Sequence, residues 1–388
     1  MTQSVQEAVE AAPVTAVASH LHPEGSFDLD AHPVPTGLEE IWRFTPLKRL
    51  RGLLDAAPLD GSDFVVDVRL DPSVTAESVP SDHPAKGSSG YVPTDRISAR
   101  AWQAADKALV VTVPAETVAE QPSVITLRGT GNTTAAAGHL VIEAKPYSSA
   151  TVVVRFEGSA TLAENVEYVV GDGAQLTVVV VHGWDRDAVY ATHHHARIGR
   201  DARLREVVAT IGGDLVRVSS SVEYTGPGGS VELFGLYFAD ADQHLEHRLF
   251  VDHNAPSTRS RVDYRGALQG RGAHTVWIGD VLIRKVAEAI DTYESNRNLV
   301  LTDGCRADSV PNLEIETGEI TGAGHASATG RFDDEQLFYL RSRGIPYEEA
   351  RKLVVRGFFA ELLARVPVPE LVDELSATID ERLAKADA

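Results

Sequence analysis

Residues Asp308 to Gly357 read DSVPNLEIETGEITGAGHASATGRFDDEQLFYLRSRGIPYEEARKLVVRG, and the change of texture inside this stretch decides the architecture. Before Gly330, Leu313, Ile315 and Ile320 alternate as strand residues, whereas the part after it carries helix start and stop signals. Asp333 is placed to cap a helix with Gln336 as its reciprocal partner. Phe332 and Leu337 occupy the staple positions, and Gly344 follows the last turn. A β-rich body is therefore expected to end near residue 327 and a helical domain to follow.

Upstream, from about Trp102 to Ile320, short β-branched segments such as ALVVTV, TVVVRF, QLTVVVV, SVELFGLYF and LEHRLFVDH are separated by glycines. A faint repeat runs through them. Gly171-x-x-Ala174-x-Leu176, Gly199-x-x-Ala202-x-Leu204, Gly270-x-x-Ala273-x-Thr275 and Gly304-x-x-Ala307-x-Ser309 share a turn-then-strand shape, with Gly226 to Val231 as a degenerate copy. A recurring corner, a small inward residue and a short strand suit a parallel β-solenoid, in which each coil stacks its apolar residues on the next. A β-sandwich is the alternative at this level.

Residues 1–34 read as a loosely ordered arm. Leu38, Ile41, Trp42, Leu47, Leu50, Leu53 and Leu54 suggest helical pieces interrupted at Pro46. FVVDVRL (Phe64–Leu70) alternates like a strand, and Pro72 to Pro93 reads as a connection. After Gly330 three helical segments are expected. Ala350, Val354, Phe358 and Leu362 share a face of the second, and Val372, Leu375, Ile379 and Leu383 stripe the third. The expected organisation is an N-terminal arm and helix-containing region (1–101), a β core (102–327) and a C-terminal helical domain (328–388).

With 388 residues, 43% apolar and 24% charged, the chain can bury a sizeable core. Its 56 acidic and 36 basic side chains give a net charge of −20, which argues against nucleic acid and anionic membranes as partners. The single cysteine, Cys305, rules out a disulfide framework or a closed thiolate cage within one chain. Glu7 and Glu10 interrupt any apolar N-terminal segment, and runs such as Val178 to Val181 are too short to span a bilayer, so a cytoplasmic location is expected.

His193-His194-His195 suggests a metal site, but neighbours on a strand face opposite ways, so at most two could share an ion. Solvated or core-satisfied histidines fit better, with His182, His244 and His247 as the available companions. Gly129-Thr-Gly131 and Gly322-Ala-Gly324 lack the context of a dinucleotide loop, and motifs for nucleotide hydrolysis, acyl transfer or zinc proteolysis do not occur. The chain does not read as a stand-alone enzyme. A β-helix enzyme acting on polysaccharide, through Asp240, Asp242 and Asp252, is one alternative, and a homo-oligomeric structural protein is another. A lone His325 at a strand end and a lone Cys305 are by default structural.

GAGHASATGRFDDEQLFYLRSRGI (Gly322–Ile345) followed by EEARKLVVRGF (Glu348–Phe358) resembles the C-terminal signature of the SufB/SufD family, scaffold subunits of the SUF iron-sulfur cluster assembly machine. Weaker similarity extends back through PTGLEEIWRFTPL (Pro35–Leu47). The resemblance implies a right-handed parallel β-helix core with an N-terminal helix-containing region and a C-terminal helical domain. It implies a SufD-like subunit that pairs with SufB and recruits the SufC ATPase. A transient iron-sulfur cluster at the SufB interface and a reduced flavin in the whole complex are implied, with none held stably by this chain alone. A homodimer in the absence of SufB is left open.

By the same resemblance His325 matches a histidine at the subunit interface, where it would serve as a metal ligand. A cysteine often found two residues earlier is Ala323 here. The SufB sulfur-accepting cysteine aligns with Asn296, which favours the SufD side. Leu337, Tyr339, Leu340, Leu353, Val354 and Phe358 are the residues proposed to dock SufC, and truncation after Gly330 is expected to leave a soluble β-body.

Overall fold

The computed structural model describes residues 24–332 and 334–385. The Asp333–Gln336 capping pair and residues 1–23 of the arm lie outside the described residues. Among the described residues, eighteen strands divide between two nine-stranded sheets. The first sheet is ordered β1 (Phe64–Arg69), β4 (Ser123–Thr130), β6 (Ser149–Ser159), β8 (Gln175–Trp184), β10 (Arg203–Thr210), β12 (Ser230–Ala239), β14 (Arg259–Leu268), β16 (Ile290–Val300), β18 (Ile320–Arg331). The second is ordered β2 (Thr75–Pro80), β3 (Lys107–Val113), β5 (Ala136–Ala144), β7 (Thr161–Val170), β9 (Val189–Ile198), β11 (Leu215–Tyr224), β13 (His244–His253), β15 (His274–Ile283), β17 (Arg306–Ile315). From β3 onward the chain crosses from one sheet to the other at every step. From β3 onward each strand pairs in parallel with the strand two places on. This is a β-solenoid of about 8 turns, and the sandwich alternative falls away.

One corner explains how the coil closes. Glu116, Tyr147, Gly173, Asp201, Gly228, Ser257 and Ala289 all have φ between 54° and 77° and occupy equivalent places in successive coils. The amides of Glu116, Tyr147, Gly173, Asp201, Ser257 and Ala289 donate upward to the next coil, as in Tyr147 N–H to Asp172 O (2.9 Å) and Gly173 N–H to Arg200 O (2.8 Å). A left-handed residue costs of order 1 kcal/mol when it is not glycine, and the ladder of bonds holds it there. Gly226 to Val231 is indeed a copy in register, because Ser230 pairs with Arg203. The Gly304 copy is displaced by two residues, since Arg306 pairs with His274 and so Cys305, not Ala307, stands opposite Ala273. Coil length grows from 26 residues (Ser149 to Gln175) to 32 (Arg259 to Asp291), which blurs the repeat.

Two layers bury the first sheet from both sides. Val178 and Val180 of β8 point into the coil, while Val179 and Val181 lie beneath the C-terminal helices, which is why β8 reads as an unbroken apolar run. Helices α2 (Asp334–Ser342), α3 (Tyr347–Leu363) and α4 (Pro369–Lys385) follow β18, preceded in the chain by α1 (Arg96–Ala104), so their labels here are α2 to α4. Val355, Phe359 and Leu362 of α3 and Leu375, Ile379 and Leu383 of α4 pack on Val181, Phe234, Leu236 and Phe238. The α4 stripe is thus internal core. On α3 the buried face lies one residue away from Val354 and Phe358, which are half-buried. Arg265, almost fully buried, ties the layers by donating to Phe358 O (2.9 Å) and Asp263 (2.9 Å).

The two ends of the solenoid differ. At the first end β1 pairs antiparallel with β4 and β2 antiparallel with β3, and Leu70 and Val74 between them pack into the interior cluster. Strand β2 lies in the stretch expected to be a connection, and helix α1 was not anticipated. The pieces expected between Leu38 and Leu54 are short 3-10 turns at Glu40–Trp42 and Leu47–Leu50. At the other end β17 and β18 are the last strands of their sheets, and along β17 no residue is buried. Among the described residues no helix is long and apolar enough to cross a membrane.

The interior is unusually polar. Tyr190 donates to Glu164 (2.5 Å), Tyr168 donates to Glu206 (3.0 Å), and His194 Nδ1 lies 2.7 Å from Glu206. Burial lowers His193, His247 and His253 to about 3 and His195 to about 4, so these four stay neutral in the fold but take up protons below about 6.5 when unfolded. Burial raises Glu164 to about 7 and Glu294 to about 8, and these two act in the opposite sense, favouring the fold as pH falls. Burial holds His182 well below the usual range too, so unfolding near pH 5.5 takes up at least about two protons net, and stability should fall by at least about 2 kcal/mol per pH unit there. Urea midpoints at pH 5 and pH 7 test this, and an equal or higher midpoint at pH 5 contradicts it.

Candidate functional site

On the open end, inward-facing side chains of the last coil have no coil above them. His325 sits on β18 directly opposite Glu294 of β16, so both point into the coil on the same row. The imidazole remains 43% exposed, whereas the Glu294 side chain is 2% exposed. His325 Nδ1 lies 3.9 Å from Glu294 Oε1, and that oxygen has no hydrogen-bond partner. Burial, reinforced by Asp280, pushes the Glu294 carboxyl up to about 8. A buried polar atom without a partner is costly, so this one marks a place where further chemistry is expected.

The same surface is lined by hydroxyls and amides. Ser327 Oγ donates to Ser309 Oγ across the coil (2.8 Å), joining β18 to β17. Asn298 Nδ2 donates to Asn296 Oδ1 (2.8 Å), and Asn296 Nδ2 donates to the Tyr237 hydroxyl (2.8 Å). Asn296 is fully buried, a structural amide one coil below the surface. Ala323 offers no ligand atom, and it packs at the edge of the interior cluster. Cys305 is half-buried, its thiol directed at Gly270 O (3.3 Å), a structural setting well away from His325 along the coil. Among the described residues no group of three or more His, Cys, Asp or Glu is arranged to hold a metal ion. One exposed imidazole beside one carboxyl can contribute a ligand, but the rest of any metal's coordination would have to come from another chain.

The other sequence candidates disperse. His193 and His195 face outward and share the Ser221 hydroxyl, while His194 faces inward to Glu206, and all three are buried, so the run is not a surface one. Asp240 is held by Arg382 (2.7 Å) and Asp252 by Arg284 (2.7 Å), at opposite ends of β13, so no row of free acids forms. On the helices Leu337 is buried and unavailable for docking, Leu340 is half-buried, and Tyr339 and Leu353 are exposed. Phe338 (74% exposed) and Tyr347 (43%) extend that exposed set and were missed. The helical phase carries the signal: with Leu337 inward, the next residue must turn out. Glu294 was also missed, because only the coil register sets it against His325.

A family model described as "SUF system FeS cluster assembly, SufBD core domain" matches residues 126–358. An iron-sulfur cluster assembly SufBD family protein of Mycobacterium bovis is 54% identical over 364 residues, covering 92% of this chain and 91% of that protein. One from Mycobacterium leprae is 51% identical over 364 residues, 92% and 93% of the two chains. The iron-sulfur cluster assembly protein SufD of Bacillus subtilis is 27% identical over 278 residues, 70% of this chain and 63% of that one. The matched core contains most of the solenoid, the His325 row and the start of the helices, and the chain belongs to the SufBD family of iron-sulfur cluster assembly proteins.

Proposed function

We propose that this chain is the SufD-type scaffold subunit of a cytoplasmic SUF complex. It pairs with a SufB-type chain through the open coil and docks a SufC-type ATPase through α2 and α3. The observation that carries this reading is the open end itself: two long strand edges, with His325 displayed above Glu294. Unpaired strand edges of this length are a liability that a partner relieves. Similarity to the Bacillus subtilis SufD and the amide at Asn296 favour the SufD role over the SufB role. The chain catalyses nothing alone. The iron-sulfur cluster is cargo: His325 offers one imidazole ligand, thiolate comes from the partner, and any reduced flavin belongs to the assembled complex. Where SufB is absent, the same edges suit a second copy of this chain.

Co-expression with the SufB and SufC proteins of the same genome tests the reading. The tagged chain should retain both. Tyr339→Asp combined with Leu353→Asp should lose SufC and keep SufB, because both side chains are solvent-facing and contribute little to the fold. Failure to recover SufB sinks the pairing, and undiminished SufC recovery by the double variant sinks the helical docking surface.

A further inference from the structure

A cavity of about 390 Å³ lies on the outer face of the second sheet and reaches Asp280 of β15, the strand next to the β17 edge. Its floor comes from β9, β11 and β13, and its roof is the 90–95 segment. The roof is firmly held. Glu167 accepts from Gly87 N–H (2.7 Å) and Ser89 N–H (3.1 Å), and the Tyr91 hydroxyl donates to Asn165 (3.1 Å). A loop fixed this well could have closed on the sheet, yet it leaves a space at the lower end of the range for small-molecule sites.

The cations in the wall are already engaged. Arg217 donates to Asp95 (3.3 Å), approaches Glu246 (3.3 Å) and stacks on the Trp42 ring at 4.3 Å. Arg248 donates to Glu246 (3.2 Å) and Glu40 O (3.1 Å). With both guanidinium groups paired, the cavity is poorly suited to an anion.

Proton counting at Ser221 shows what remains. His193 Nε2 and His195 Nδ1 both lie 2.8 Å from the one Ser221 hydroxyl, which has a single hydrogen to give. The remaining nitrogens, His193 Nδ1 and His195 Nε2, are both buried without a hydrogen-bond partner. One ring therefore donates to the hydroxyl and keeps an unpaired lone pair, and the other accepts from it and keeps an unpaired N–H. Both rings are neutral, as burial holds them well below the usual range. Glu223 completes the polar side at half-burial, its carboxyl raised by desolvation and pulled back by Arg197. Phe250 and Ile41 supply apolar walls, and Tyr91 lies over His193 at 4.9 Å between ring centres.

The unused capacity is thus one ring lone pair, one ring N–H and the Glu223 carboxyl, beside flat apolar surfaces. We propose that this cavity binds a small planar molecule that carries N–H donors and no negative charge, of the aromatic amidine or amide class. The proposal does not depend on the cluster-assembly reading.

Benzamidine is the probe, with benzoate as the isostere of opposite charge, titrated into the full chain by calorimetry and ligand-observed NMR. Benzamidine should bind saturably and benzoate at least about tenfold more weakly. Glu223→Gln, which keeps shape and leaves the fold intact, should weaken benzamidine about tenfold. Ser219→Trp should fill the space and abolish binding, with its melting temperature confirming that it folds. Absence of saturable benzamidine binding, equal binding of benzoate, or parent-like binding by Glu223→Gln or by a folded Ser219→Trp overturns the proposal.

Discussion

His325→Ala is expected to abolish iron-sulfur cluster maturation by the assembled complex while moving the melting temperature by no more than about 2 °C. The imidazole is 43% exposed on the outermost strand, and the Glu294 carboxyl is 3.9 Å away, beyond hydrogen-bonding distance. Removing it creates no cavity. A ligand to a nascent cluster has no substitute nearby, since Ala323 presents no donor atom and Cys305 is turned toward Gly270. His194→Ala is the informative contrast. It is buried, with Nδ1 2.7 Å from Glu206. Its loss should cost about 1–3 kcal/mol of stability, and maturation should suffer only as far as the fold does. Unimpaired maturation by the His325→Ala complex would remove the residue from the assembly site.

Deletion of residues 331–388 is expected to yield insoluble chain, contrary to the expectation of an independent β-body. The helices cover Val179, Val181, Val207, Phe234, Leu236 and Phe238 on the outer face of the first sheet. Each large apolar side chain that α3 and α4 bury contributes about 1.5–3 kcal/mol. Val355, Phe359, Leu362, Leu375, Ile379 and Leu383 together rival the whole net stability of a typical domain. Without them a broad apolar sheet face meets water and associates with other copies. Sedimentation of the truncated chain against the parent measures this, and a monodisperse product that unfolds cooperatively would contradict it.

The fold was legible where local chemistry repeats in sequence. Gly171, Gly199 and Gly226 start equivalent corners, and the boundary after Gly330 separates strand from helix as the residue pattern indicates. The left-handed corner was hidden, because Tyr147, Asp201, Ser257 and Ala289 occupy it as well as Gly173 and Gly228. Backbone hydrogen bonds enforce the conformation there, so residue type carries little of the signal. His325 was found through its neighbours in sequence, Gly324 and Ala326. Glu294 was not, for it meets His325 only through coils whose length varies. The helical stripes failed in phase on α3, where Arg351 and Val355 rather than Val354 face the sheet. Hydropathy alone cannot choose between two apolar neighbours.

The antiparallel strands β1 and β2 have a consequence for stoichiometry. A parallel solenoid with both ends alike is a fibre subunit, because each added chain presents the same edge it has just consumed. Here the β17–β18 end offers parallel edges of ten and twelve residues, whereas the far end offers only the six-residue reversed strands β1 and β2. Any chain built on the same plan that covers the β17–β18 end brings its own reversed strands to the far side, and polymerisation terminates after a single addition.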